Sequence, residues 1–560
     1  MANSSKSAAN FPERKKAAMY AKLDTWQTRL ASVLVIFVLC LQPLFVTWNA
    51  YINLTGKKFV FFVVYMSLVL AAVIIIWIYR MTRTPRLSSR GSLTLVDWAV
   101  LGFAFVVLLS ALLSPFKAAV NVWIGIPEPE GRYDGAITEL LYVAVFLIVS
   151  RWYLPKLRHF TLFGISAILI AFIGIMQFYG MDFLKLWPND MAKYAVPNFY
   201  NIIFRSTLGN VNIVSTYVCV AMLLCGLLFV RYSPAPRISG GKTAGKNAAK
   251  RRRIIGKGTA RFWTGACWLM ASALNFWLME LAGADSGRVG LIVALLFAIP
   301  FIIENLKTLG RFLILASTWA AVYTLQKLLY DVSVLHARTA ASLIPYAAAF
   351  VILLAVGIVL ASRGKERNPE APAKWLPGVI LIVACIIVGI AGVEIMGRQD
   401  VPEGQTGNII YEMREIMHGR IKDEFGTNRV YIWKNALKVF PEHPIIGSGP
   451  DTFKQVFPAA AQGAYGETYD KAHNEYLQIL ICQGILGLVS YLLFLVAALI
   501  KAIPKAFKNP LVMAVFAGFV GYCAQAFFNI SLPIASQMLW VLAGMLANKR
   551  FRDEGIGIRE

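Results

Sequence analysis

Apolar residues in this chain come in long, nearly unbroken runs joined by short polar connections, with neither the strict alternation of a half-buried strand nor the narrow stripe of a surface helix. A run of about 20 apolar residues is what an α-helix needs to cross the roughly 30 Å hydrocarbon layer of a bilayer. Such windows begin near residues 30, 58, 93, 135, 158, 207, 262, 288, 310, 340, 375, 474, 508 and 531. The pattern predicts an all-α, polytopic integral membrane protein with about 14 transmembrane helices. It divides the chain into a basic N-terminal tail (1–29), transmembrane helices 1–11 (30–396) interrupted by a basic loop (231–261), one long extracytoplasmic loop (397–473), C-terminal helices (474–548) and a tail (549–560).

Composition narrows the class. Of 560 residues, 58% are hydrophobic and 15% charged, against about 25% charged in a soluble globular protein, which excludes a soluble enzyme. The formal charge of +25 has meaning only through its location. Arg231, Arg237, Lys242, Lys246, Lys250, Arg251, Arg252, Arg253, Lys257 and Arg261 follow one another with no acidic residue among them, between two apolar runs. A loop of that kind stays on the cytoplasmic side and favours anionic lipid headgroups, so it reports topology and calls for no nucleic acid. The N-terminal tail carries Lys6, Arg14, Lys15, Lys16, Lys22 and Arg29, and no small-residue cleavage site follows the first apolar run. The first helix is therefore expected to be retained, with its N-terminus in the cytoplasm. The connections at 80–90, 151–158, 231–261, 304–311, 363–374 and 501–508 then fall on the cytoplasmic side, and each is basic, as is the C-terminal tail. The expected location is the cytoplasmic (inner or plasma) membrane, multi-pass, with both termini inside. All seven cysteines lie in apolar runs, which points to neither a disulfide framework nor a zinc site.

The outer connections carry the candidate chemistry. The long loop holds nine Lys/Arg and ten Asp/Glu between residues 398 and 473, a balance that suits a folded surface better than a tether. Within it, Asn428 is expected to cap a helix with Val430, Trp433, Ala436, Leu437 and Phe440 on one side, lying apolar side down on the membrane face. Arg205, Arg288, Arg429 and His473 all fall near predicted outer helix ends. Guanidinium groups hold phosphate oxygens through paired, charge-assisted hydrogen bonds, and a departing diphosphate needs several such donors. An imidazole among them, at a pKa near the working pH, would take a proton from an acceptor hydroxyl. Asn474 and Glu475 are placed to orient it. Each arginine alone also fits an interfacial side chain snorkelling to lipid headgroups, and the histidine a merely structural residue. Glu128, Glu130 and Asp134, with Arg132 among them, fit either sugar-binding groups or an ordinary polar loop, while His418 and His443 lack metal-ligand spacing. No Asp-x-Asp grip or phosphate-binding glycine loop is present, so neither metal nor nucleotide cofactor is expected.

At IIGSGPDTF and KAHNEYLQILICQGILGLVSYLLF the chain resembles the O-antigen ligase and O-antigen polymerase superfamily of membrane glycosyltransferases. The resemblance runs over roughly 200–490, through Arg205 with Gly209, Asn210 and Asn212; Ser286 with Arg288; Arg429 with Trp433; Gly447 and Gly449; then His473, Asn474, Tyr476, Leu477, Gln478 and the segment 484–487. It implies a GT-C-like helical architecture with an outer cavity and an undecaprenyl-diphosphate-linked glycan donor. The implied transfer needs no metal: His473 acts as base, and Arg205, Arg288 and Arg429 hold the diphosphate. The acceptor, whether lipid, protein or glycan, is not implied. A repeat-unit polymerase is the nearest alternative; a transporter or flippase would call for ionisable groups at mid-membrane in matching halves.

Overall fold

A computed structural model describes residues 11–83, 93–127, 132–187, 204–232, 248–333, 343–364, 375–398, 409–466 and 468–553. The chain is a bundle of long helices: α1 (Phe11–Ile36), α2 (Leu54–Arg83), α3 (Leu95–Leu113), α4 (Ala136–Trp152), α5 (Leu157–Phe178), α6 (Val211–Tyr232), α7 (Ala248–Ala282), α8 (Asp285–Ile302), α9 (Leu306–Ser333), α10 (Ile344–Arg363), α11 (Trp375–Met396), two short helices of the long loop, α12 (Ile409–Met417) and α13 (Arg429–Val439), then α14 (Glu475–Ala506), α15 (Pro510–Ala526) and α16 (Gln537–Ala547). The strands described are two residues each, β1 (Phe204–Arg205) and β2 (Gly209–Asn210), paired antiparallel.

Among the described residues ten helices are long and apolar enough to cross a membrane, and α15 and α16 are shorter apolar helices. Every predicted apolar window lies on a helix, but length and composition qualify ten crossings rather than the expected fourteen. Two helices reach past their apolar windows. Helix α1 is already formed at Phe11, inside the stretch read as a tail, and α7 at Ala248, inside the basic loop, where the described residues of each begin. Alanine and lysine are good helix formers, so an apolar helix propagates into such flanks.

Burial separates core helices from those on the rim. The apolar window of α6 is 94% buried, whereas those of α10 and α11 are 6% and 0% buried. In a bilayer protein the exposed faces of α10 and α11, rich in Val, Ile and Leu, are the faces lipid covers. Helices α9 and α10 meet at Gly310 and Gly357, where a β-carbon on Gly310 would lie 2.3 Å from the Ala361 nitrogen, the close small-residue crossing that bilayer helices favour.

Polar contacts gather the connections at two ends. At one, Arg80 pairs with Asp24, Arg151 with Asp97, and Arg231 with Glu304, while Asn548 donates to the Val149 and Tyr153 carbonyls. At the other, the long loop meets the connection before α4 and the turn between α15 and α16, that turn meets the start of α6, and the start of α6 meets the start of α8.

That second end is built around two breaks. Past α1 the chain makes a π-helical turn (Phe37–Leu41) and reaches Pro43; Lys58 from α2, fully buried, donates to the Gln42 and Pro43 carbonyls at 2.9 and 2.8 Å, so polar groups left by the helix end are satisfied inside the protein. Helix α14 is interrupted at Gly484 (φ 70°, ψ −171°), a conformation open essentially to glycine alone. The segment 444–449 fills the break: the Ser448 and Gly449 amides donate to the Ile481 and Cys482 carbonyls, and the Pro444 and Ile445 carbonyls accept from Ile485 and Leu486. A β-carbon on Gly447 would sit 2.2 Å from the Cys482 backbone. The two glycine motifs of the sequence are thus the two halves of one backbone inlay.

Candidate active site at one end of the bundle

His473 lies just before α14 with φ 50°, left-handed for a non-glycine residue, a conformation that costs about 1–3 kcal/mol and needs outside support. Its neighbours supply that support. The fully buried Lys471 ammonium donates to Asp134 Oδ2 at 2.9 Å and Asp451 Oδ1 at 2.8 Å, tying this segment to the connection before α4 and to the GSGPD turn. Trp433 Nε1 donates to the Ala472 carbonyl at 3.0 Å, and the Ala472 amide donates to Gln478 Oε1. The Asn474 side chain caps α14 by accepting from the Leu477 amide at 3.0 Å. Glu475, buried in the first turn, accepts from the Tyr491 and Tyr522 hydroxyls. With Lys471, Ala472 and Asn474 all held, the His473 backbone between them is held as well.

The charges of Arg429, Asp470 and Arg132 act on that imidazole. Burial, then the Arg429 guanidinium, push its pKa down to about 4, with Arg132 adding to the fall and Asp470 opposing it. This corrects the expected value near the working pH: an imidazole set partly inside protein and next to guanidinium cations resists a proton. Arg132 is itself paired with Asp470 at 2.9 Å.

Arg429 opens α13 and donates from Nη1 to the Gly426 carbonyl at 2.6 Å. Beside it Glu412 accepts from the Gly426 amide; burial raises the Glu412 pKa, that hydrogen bond lowers it, and Asp285 and Arg429 act on it with opposite signs. Asp285 in turn pairs with Arg288 at 2.7 Å, and Arg288 also donates to both Glu280 oxygens, at 3.3 and 2.9 Å. Arg288 therefore joins the same neighbourhood through carboxylates that already balance its charge.

Arg205 occupies a different part of this end. Its guanidinium stands 5.5 Å from the Phe178 ring centre, and burial lowers its pKa while Tyr51 opposes the shift. The tight β1–β2 turn that presents it is pinned at Ser206 (φ 57°), whose amide donates to Gln177 and whose hydroxyl donates to the Ile170 carbonyl. Asn210 accepts from the Asn212 amide, and the Asn212 carbonyl accepts from Asn529, one residue past Phe528, whose ring lies 6.0 Å from Trp433. The charges of Arg429 and Arg132 act directly on His473, and Arg288 joins them through Glu412 and Asp285, whereas the turn that carries Arg205 is tied to Trp433 only through Asn212 and Asn529 and its guanidinium stands apart at Phe178.

Several expectations change. Asn428 starts α13, but its backbone is left-handed (φ 64°) and its side chain makes no capping hydrogen bond. Leu437 is 52% exposed, and Ile432, Ala436 and Val439 form the buried stripe. They pack with Phe453, Phe457, Tyr469, Leu477 and Ile481, so α13 covers the end of α14 and rests on protein instead of a membrane face. Asp134, read as either a sugar ligand or a loop residue, is a buried ion-pair partner; Glu128 and Glu130 lie outside the described residues. His418 packs against Glu394 and the Arg414 carbonyl, and His443 edge-on against Phe116. Lys471 and Asp451 were missed altogether. Their only signal in the sequence is a Lys two residues before the histidine and an Asp after the glycine turn; the Asp134 partner is 337 positions away.

Fold and site together define a polytopic α-helical membrane protein with a cationic cluster around a histidine at one end. Residues 339–492 match the family model described as O-antigen ligase, a similarity over part of the chain that supports a membrane enzyme of the ligase or polymerase type. The matched segment holds Arg429, Trp433, His473, Asn474 and Glu475; Arg132, Arg205, Asn210, Asn212 and Arg288 precede it. No curated protein matches the chain.

Proposed function

We propose that the protein is an O-antigen ligase-like transferase that moves a glycan from an undecaprenyl-diphosphate carrier to an acceptor hydroxyl on the outer face of the cytoplasmic membrane. The observation that carries this reading is the over-determined backbone at His473, which holds a residue with an uncharged imidazole within electrostatic reach of the Arg429 guanidinium. The acceptor hydroxyl gives its proton to His473 while its oxygen attacks the anomeric carbon. The bond from that carbon to the diphosphate oxygen breaks, and the diphosphate leaves with the electron pair. Arg429, Arg205 and Arg288 receive its charge through forked donors. Arg288 gives up part of its hold on Glu280 and Asp285 to do so. Arg132, Trp433, Asn474, Glu475, Asn210 and Asn212 position these groups and the loops that carry them.

The arginine that depresses the His473 pKa also supplies its remedy. A bound diphosphate offsets the Arg429 charge, so proton affinity rises only when donor is present. The proposed orientation puts this end outside and the end carrying Arg80, Arg151 and Arg231 in the cytoplasm, with both termini.

The test is glycan transfer by a His473→Ala variant that inserts and accumulates normally. Transfer is expected to fall by roughly 10²–10⁴-fold, the usual worth of a positioned general base. Undiminished glycan on the native acceptor would defeat the assignment.

A further inference from the structure

One to two turns below His473, a cavity of about 30 Å³ is lined by Asp134, Glu139, Tyr142, Glu475, Gln483 and Ser531, among others. That volume takes a single water-sized guest or two. Its lining has an unbalanced charge. Lys471 answers Asp134 and Asp451, while Glu139 and Glu475 meet neutral donors, Gln483 Nε2 at 2.8 Å for the first and the Tyr491 and Tyr522 hydroxyls for the second. The second Glu139 oxygen, the Gln483 amide oxygen and the Tyr142 hydroxyl are buried with no hydrogen-bond partner among the described residues. Tyr142 is 2% exposed and the whole Gln483 residue 1%.

These groups are hard oxygen donors of the kind that suits a group 1 or group 2 cation. Among the described residues no three His, Cys, Asp or Glu side chains gather as a metal-ion group, so a multi-carboxylate divalent centre is not what the lining offers. Helix α14 also bounds the cavity. Its first segment ends at Gln483, where Gly484 breaks the helix, and Cys482 and Gln483 both line the cavity. The Ile481 and Cys482 carbonyls at that end already accept from Ser448, Gly449 and Ser110, so the break shapes the cavity wall and leaves ligation to side-chain oxygens.

We propose that this cavity binds a monovalent cation of sodium size, held by the free Glu139 oxygen, the Gln483 amide oxygen and the Tyr142 hydroxyl, with Glu475 balancing the charge. A lone water would satisfy the same acceptors but leave an ionised Glu139 without a counter-charge, and it is for the ionised carboxylate that the cation is favoured. The site does not depend on the transferase reading, because it is read by binding alone.

The experiment uses the full chain purified in detergent and reconstituted in nanodiscs. Thermal unfolding is followed in NaCl, KCl and choline chloride at constant ionic strength and fixed neutral pH. The midpoint is expected to rise saturably with sodium and to stay flat in choline. Glu139→Gln, nearly isosteric, should abolish the sodium response, and Tyr142→Phe, which removes one ligand, should weaken the apparent sodium affinity several-fold. Radioactive sodium should bind the parent chain at about one per chain and fail to bind Glu139→Gln. Equal midpoints in all three salts overturn the proposal, as does an unchanged sodium response in both variants. So does a Glu139→Gln variant that is more stable than a parent indifferent to sodium, since that identifies a protonated glutamate beside a water.

Discussion

Replacing Lys471 with methionine removes a fully buried ammonium and leaves two carboxylates, with side chains 7% and 2% exposed, facing the space it filled. Methionine keeps the length of the side chain, so the perturbation is one of charge. Breaking a buried ion pair by deleting one partner costs about 3–5 kcal/mol, because the remaining charge is stranded. Here one ammonium serves two carboxylates at 2.9 and 2.8 Å, so the upper end of that range applies. Against a total stability of roughly 5–15 kcal/mol, a loss of about 5 kcal/mol is a third of the total or more. Lys471→Met should therefore accumulate poorly at neutral pH and show a sharply lowered midpoint of thermal unfolding in detergent. Lowering the pH should restore part of the loss, since stranded carboxylates take up protons in the folded variant. Adding Asp134→Asn and Asp451→Asn should restore more, because the stranded charges are then gone. An unchanged midpoint in the single variant, or no recovery in the triple one, would refute this account of the cluster.

Arg429→Lys keeps the charge but loses the forked geometry, and transfer should fall by at least about tenfold with normal abundance; unaltered donor affinity and turnover would leave Arg429 with only a structural part. Gly484→Ala forces a β-carbon into contact at 2.4 Å with the Ile445 backbone in a left-handed conformation, so the variant should unfold earlier or fail to accumulate, read by detergent size-exclusion profiles. The pH dependence follows from the depressed His473 pKa. Because unfolded histidine takes a proton near pH 6.5 and folded His473 near 4, the folded state should lose stability as pH falls from about 6.5 to about 4, by about 3 kcal/mol at most. The same residue predicts that kcat/KM falls below about pH 4.5, whereas kcat, which reports the donor complex, falls at higher pH.

Long apolar runs made the helices legible without any structure, because a bilayer allows one solution to an apolar backbone of that length, hydrogen bonding within itself. The same sequence carried the residue types of the candidate site. His473, Arg429 and Arg205 each lie in a polar connection outside the long apolar runs, and the glycine motifs near them are local in sequence. The extent of the helices was less legible: in α1 and α7 flanking basic residues with good helix propensity carry the helix beyond the apolar window. Tertiary structure alone decided which charges meet. That Lys471 finds Asp134 and that residues 444–449 mend the break at Gly484 are matters of helix neighbours and not of spacing along the chain. Tertiary structure also decided the His473 ionisation, because a pKa reports burial and nearby charge, and neither exists before the chain has folded.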